Sequence, residues 1–280
     1  CLPDRLTMTW TPIEADVDGI LARHPNPLMA LARGETPAFV LRGAYDASHC
    51  EALMERFRQR ELLYDPRQKD DGKPKRVDIG TSFGSHRADR DKFHEHSAQT
   101  IELFATLFDG YADPVKMIYD TLAALAPNKK VMTAREKDGR KYGPAIFRIY
   151  HEDLGHGPHY DSVRKRSKSF DYEVAHFDHQ FAAVLCLQNS EDAGRSGEPT
   201  LYNCPWTPQL QESLTDTTFA DYAQVHDTER VQIHLDPGDL YFFFSENYHE
   251  VPAVSGDRPR AVLAIFFAMS EDREEIYVWS

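Results

Sequence analysis

Pro127 divides this chain in two. Ahead of it, apolar residues recur at helical spacing; beyond it they fall in short runs separated by turn residues. Short apolar runs bounded by Gly, Pro, Asn or Asp read as strands, because a soluble helix needs a longer periodic stretch. The candidate strands are Ile146 to Tyr150, Gly157 to Asp161, Phe181 to Gln188, Pro199 to Asn203, Val231 to Leu235, Leu240 to Phe244 and Ala261 to Ala268, with Pro237-Gly238-Asp239 as a turn. Helices first and many short strands afterwards predict a β-sandwich or jelly roll braced by N-terminal helices. No internal repeat, low-complexity tract or linker interrupts it. One domain is therefore expected over 1–280, with 8–130 as mostly helical support and 131–270 as the jelly-roll core.

The N-terminal part begins with a predicted strand, Thr36 to Gly43. Ser48-His49-Cys50-Glu51 has capping-box spacing ahead of a stripe of Cys50, Leu53, Met54 and Phe57. Ser97 is expected to cap a second helix carrying Ile101, Phe104 and Phe108, ended by Asp109-Gly110. A third, marked by Val115, Ile118, Tyr119 and Leu122, stops at Pro127. Such stripes are core faces. Between the first two helices, Leu63 to Arg90 is charged and poor in apolar anchors. It reads as a long loop of the kind that orders over a ligand.

Net charge of −13 excludes a long nucleic-acid groove, which needs a basic surface, but leaves room for a local basic pocket. Cys1, Cys50, Cys186 and Cys204 make no CxxC pair, so a reducing cytoplasm is expected rather than a disulfide framework. The longest apolar run, Ala261 to Met269, is too short to cross a bilayer. No signal peptide is visible. The chain opens on Cys1, and Met8 is a candidate start.

Chemistry concentrates in Gly157-Pro158-His159-Tyr160-Asp161. Side chains alternate along a strand, so His159 and Asp161 share a face and Tyr160 takes the other. His249, 90 residues on and just after the Leu240 to Phe244 strand, supplies a second imidazole. Two histidines and one carboxylate on one face form the open site of a non-haem Fe(II) oxygenase. Such an enzyme consuming a 2-oxoacid needs a cation for the distal carboxylate. Arg258 and Arg260, entering the last strand with the same parity, both qualify. A competing HxD occurs at His176-Phe177-Asp178, but only His159 and Asp161 follow the Tyr150 strand and a Gly-containing turn. His94 and His96 read as a solvated face. Tyr150 and Arg148 share a strand face: Tyr150 is a candidate cosubstrate contact, and Arg148 a structural ion pair. Trp206 is a buried aromatic or a cavity wall. Arg164-Lys165-Arg166 is a solvated run or a basic lid that attracts an anionic substrate.

From Ala38 to Phe266 the chain resembles the Fe(II)/2-oxoglutarate-dependent oxygenases, closest to the carrier-protein-independent aliphatic halogenases of hapalindole-type alkaloid biosynthesis. The likeness is densest in Tyr142 to Arg148, Gly197 to Tyr202, Trp206 to Gln209, Pro237 to Leu240 and Pro259 to Ala261. The resemblance implies a double-stranded β-helix, Fe(II) as metal, and 2-oxoglutarate and O2 as cosubstrates. It implies iron held by His159, Asp161 and His249, with Arg260 on the C5 carboxylate of 2-oxoglutarate. Two positions depart from it. Those halogenases have glycine where this chain has Asp161, and relatives often place serine where it has Val262. A carboxylate at the chloride position implies hydroxylation of a small molecule (natural product, amino-acid derivative or nucleoside) with succinate and CO2 as coproducts. A hydroxylase of protein side chains and a metal-binding jelly roll without turnover are the alternatives.

Overall fold

Strand alternation builds two sheets. A computed structural model describes residues 10–63, 76–86, 88–166, 170–192 and 196–280. Its strands are β1 (Ile13–Glu14), β2 (Ala38–Leu41), β3 (Val77–Gly80), β4 (Lys130–Thr133), β5 (Ile146–Tyr150), β6 (His156–His159), β7 (His179–Gln188), β8 (Thr200–Pro205), β9 (Arg230–Gln232), β10 (Leu240–Phe243), β11 (Asn247–Val251), β12 (Arg260–Met269) and β13 (Glu275–Trp279). The major sheet runs β1-β2-β10-β7-β12-β13-β4, with β5 along the first half of β12 and β3 beyond it. The minor sheet runs β6-β11-β8-β9. The two sheets face each other as a double-stranded β-helix, the jelly-roll architecture expected from the sequence.

Each face of the major sheet has its own filling. Leu201 of β8 packs inward against Ala182, Val184 and Val262 of the major sheet. The other face carries Phe147, Phe181, Leu263 and Phe267, covered by Leu53, Phe57, Phe104, Ile118 and Leu122 of three helices, Ala47–Gln59, Arg90–Leu107 and Pro114–Leu125. Phe147 takes Phe57 at 4.8 Å and Phe104 at 5.7 Å, both edge-on. Burying one such ring contributes about 1.5–3 kcal/mol, and each aromatic pair adds about 0.5–1.5. On β5, Phe147 and Ile149 therefore face the helices, which leaves Arg148 and Tyr150 pointing into the barrel.

Several local expectations change. The first long helix is capped by Asp46, which accepts from Ser48 N–H at 2.8 Å. The second starts at Arg90 with Asp89 as its cap; Ser97 lies inside it and donates to the Phe93 carbonyl. Segment 63–90 holds β3 and a short helix, Phe83–His86, so it is not one loop. Residues 64–75 of that segment lie outside the described residues, as do Cys1 and Met8. β6 ends at His159, short of Asp161, and His249 sits within a strand, β11. β13 has no counterpart in the sequence reading.

Candidate metal centre

β6 and β11 are antiparallel neighbours in which His159 lies opposite His249, with ring centroids 4.2 Å apart. Asp161 follows the end of β6 but is still pinned. Its N–H donates to the Ser245 carbonyl at 2.8 Å, and the Ser245 hydroxyl donates back to the Asp161 carbonyl at 3.1 Å. Ser245 opens the turn into β11, so this exchange ties the carboxylate to the strand carrying His249. The result is one cluster: a ligand atom from each of His159, Asp161 and His249 lies within 4.8 Å of the others.

The hydrogen bonds orient both rings. His159 Nδ1 donates to the Gly157 carbonyl at 2.8 Å, and His249 Nδ1 donates to the Asn247 carbonyl at 2.9 Å. With the proton assigned to Nδ1 by those carbonyls, each Nε2 presents a lone pair. Both Nε2 atoms lie 3.5 Å from Asp161 Oδ2. Three acceptors thus converge on one point with no proton between them, an arrangement that calls for a cation. Burial and the charge on His159 push the His249 pKa down, with Asp161 opposing, which favours the neutral ligand form. Burial raises Asp161, but the His159 and His249 rings beside it outweigh that and hold the carboxyl well below its usual range. The donor set fits Fe(II) with open coordination positions.

Around this cluster the barrel interior is unusually cationic. Arg260 opens β12 opposite Tyr150 and is only 4% exposed. No carboxylate lies within ion-pair distance of it among the described residues. A guanidinium buried without a counter-ion is costly, so the site is built to receive an anion. Arg258, of the same parity, is exposed ahead of the strand. Tyr150 is buried with the guanidinium groups of Arg260 and Arg76 each 5.7 Å from its ring. Burial raises its pKa, yet Arg148, Arg76 and Arg260 together bring it below the ordinary phenol value. Arg148 forms no ion pair among the described residues, contrary to the sequence expectation, and its buried Nε has no partner there. A cavity of about 300 Å³ opens beside Asp161, lined by Arg76, Arg148, Arg166, Phe266 and Trp279 among others.

The competing candidates go elsewhere. His176 pairs with Asp171 at 2.7 Å, and Asp178 pairs with Arg164 at 2.9 Å. His94 is buried, not solvated, with Nδ1 on the Lys141 carbonyl, while His96 stacks on His86. Trp206 stacks on Tyr160, on the face of the minor sheet away from the cluster. Of the basic run, only Arg166 reaches the site, 3.7 Å from Asp161 Oδ1. Arg76 and Trp279 were missed by sequence reading. The alternation Arg76-Val77-Asp78-Ile79 is the signal that places Arg76 on an inward face.

Comparison with known proteins agrees with this architecture. In structure the chain is similar to an N-substituted L-amino acid dioxygenase from Burkholderia ambifaria AMMD, with TM-score 0.55 and 15% identity over 90% of each chain. The same dioxygenase in complex with alpha-KG gives 0.53 at 16% identity over 90% of each chain. The non-heme alpha ketoglutarate dependent epimerase SnoN from nogalamycin biosynthesis gives 0.50 at 14% identity, over 92% of this chain and 87% of that one. At these identities the likeness is one of fold. No curated protein matches the chain. Residues 9–280 match the family described as carrier-protein-independent halogenase WelO5, so the chain belongs to that family of Fe(II)/2-oxoglutarate-dependent enzymes. Family members use O2 and act on free small molecules. Among the described residues no helix is long and apolar enough to cross a membrane.

Proposed function

We propose that this protein hydroxylates an unactivated C–H of a free small molecule, a natural product, amino-acid derivative or nucleoside, and does not chlorinate it. The observation that carries the reading is Asp161. Its Oδ2 lies 3.5 Å from both imidazole Nε2 atoms, where an open position for chloride would otherwise be. Fe(II) with 2-oxoglutarate and O2 would supply oxidation of the C–H bond, with succinate and CO2 as coproducts. His159, Asp161 and His249 would hold the metal. Arg260 would pair with the C5 carboxylate, with Tyr150 packed beside it, while the exposure of Arg258 argues against it in that role. The neighbouring cavity would seat the substrate next to the metal. At about 300 Å³ it suits a metabolite, which weighs against a protein side chain as substrate. Arg260, buried without a carboxylate partner among the described residues, weighs against a metal-binding scaffold without turnover. A cytoplasmic location is supported by free Cys50, Cys186 and Cys204.

The test is incubation with Fe(II), 2-oxoglutarate, O2 and a metabolite library in chloride buffer, read by succinate release and product mass. The parent should add one oxygen, and Asp161→Gly should lose hydroxylation and gain any chlorination. A chlorinated product from the parent, or unimpaired hydroxylation by Asp161→Ala, would contradict the proposal.

A further inference from the structure

Among the described residues four guanidinium groups reach the inner wall or the cavity, and one 2-oxoglutarate does not need them all. Arg260 answers for its distal carboxylate. Arg76 uses Nε and Nη2 on Asp78, at 2.7 and 2.8 Å. Asp78 also lies opposite Arg148 across the β3–β5 ladder, but its ion pair among the described residues is with Arg76 and not with Arg148. Arg166 donates to the Tyr160 carbonyl at 2.8 Å and faces the outer oxygen of Asp161. Arg148 is left over. It is two residues before Tyr150 on the same inward face, opposite Val262, with no carboxylate partner among the described residues. Its guanidinium lies 6.0 Å from the Phe266 ring, and Phe266 in turn lies 6.2 Å from Trp279. All three line the cavity beside Asp161. In a chain of net charge −13, this small volume gathers, among the described residues, three arginines against one lining carboxylate, Asp161, which the metal would neutralise.

We infer that the substrate carries an oxyanion, a carboxylate or a phosphate monoester, which docks on Arg148 with Arg166 at the rim. The apolar body of the substrate lies against Phe266 and Trp279. The inference rests on the oxygenase reading for the position of the metal, and it adds the charge class of what is oxidised. A fork of parallel N–H donors matches either oxyanion, and an aromatic floor beneath it holds the guanidinium plane in place.

Calorimetry on the folded protein tests it, both metal-free and held anaerobically with Fe(II) and saturating 2-oxoglutarate. The probes are phenyl phosphate, benzoate, benzyl alcohol and benzylamine. At least one anion should bind about tenfold or more tighter than benzyl alcohol, as one charge-assisted bond provides. Comparing phenyl phosphate with benzoate identifies which oxyanion is preferred. Arg148→Gln should erase that difference and leave 2-oxoglutarate affinity unchanged. Arg166→Gln, at the more exposed rim, should reduce it and guards against a folding defect at Arg148. Equal binding of anions and benzyl alcohol overturns the inference, and so does an Arg148→Gln variant that loses 2-oxoglutarate instead. Loss of Fe(II) and 2-oxoglutarate binding with anion preference retained would sink the oxygenase reading and leave the anion site standing.

Discussion

Arg260→Met separates the two costs that a buried cation carries. The substitution keeps the unbranched stem, which packs where a Cβ on Gly197 would lie 3.0 Å from Arg260 Cδ, and removes the charge together with the guanidinium N–H donors. In the free protein Arg260 is 4% exposed with no carboxylate partner among the described residues, so its loss removes a desolvation penalty. Unpaired burial of a polar group costs about 1–3 kcal/mol, so the variant should be as stable as the parent or up to ~2 kcal/mol more stable. Bound 2-oxoglutarate reverses the sign. Truncating one side of a buried charge pair costs about 2–5 kcal/mol, or a loss of about 30-fold to several thousand-fold in affinity. Ligand at 100 times the parental Kd stabilises the parent by ~2.7 kcal/mol; a 30-fold loss leaves ~0.9. Thermal melts with metal and 2-oxoglutarate should show a shift of about 5–10 °C for the parent and under ~4 °C for the variant. A variant that keeps the full shift, or that is markedly less stable when free, would refute the assignment of Arg260 as the anion anchor.

Other consequences are local. His249 has its pKa pushed down from 6.5 by burial and by His159, so below that pH the unfolded chain binds the extra proton first. Stability of the metal-free protein should therefore fall as pH drops from roughly 7 to 5. His156, His94 and His96, also lowered by burial, act in the same direction, so His249→Gln should reduce that slope in calorimetry. An unchanged slope would remove His249 as its source. Asp161, also depressed, acts in the same direction but only below 3.8. Gly238 has φ +96° in the turn before β10, and a Cβ there would collide with the Tyr45 carbonyl. Gly238→Ala should cost ~2–4 kcal/mol and lower Tm by at least about 4 °C; a neutral effect would mean the turn relaxes freely.

The sequence shows most clearly those strands whose apolar residues face the helices. β5, β7 and β12 stand out because Phe147, Phe181, Leu263 and Phe267 lie in apolar surroundings. β3 and β11 were hidden for the opposite reason. Arg76 just ahead of β3, Asp78 within it and His249 in β11 turn inward, the groups a reactive cavity needs, so each strand looks polar and loop-like. Hydrophobic patterning reports which residues avoid water, and a charged interior defeats it at the functional site. The HxD pair was legible because two residues of spacing suffice to share a wall, and Ser245 carries that placement past the end of β6. His94 misled for a related reason. Its charged neighbours in sequence face solvent, while the helix turns its ring toward Glu136 and Tyr142.

Crystals grown anaerobically with Fe(II) and 2-oxoglutarate, measured by anomalous diffraction at the iron edge, address the centre itself. The expected result is one iron peak within bonding distance of His159 Nε2, His249 Nε2 and an Asp161 carboxylate oxygen. Iron bound elsewhere, or bound with Asp161 turned away, would contradict the account.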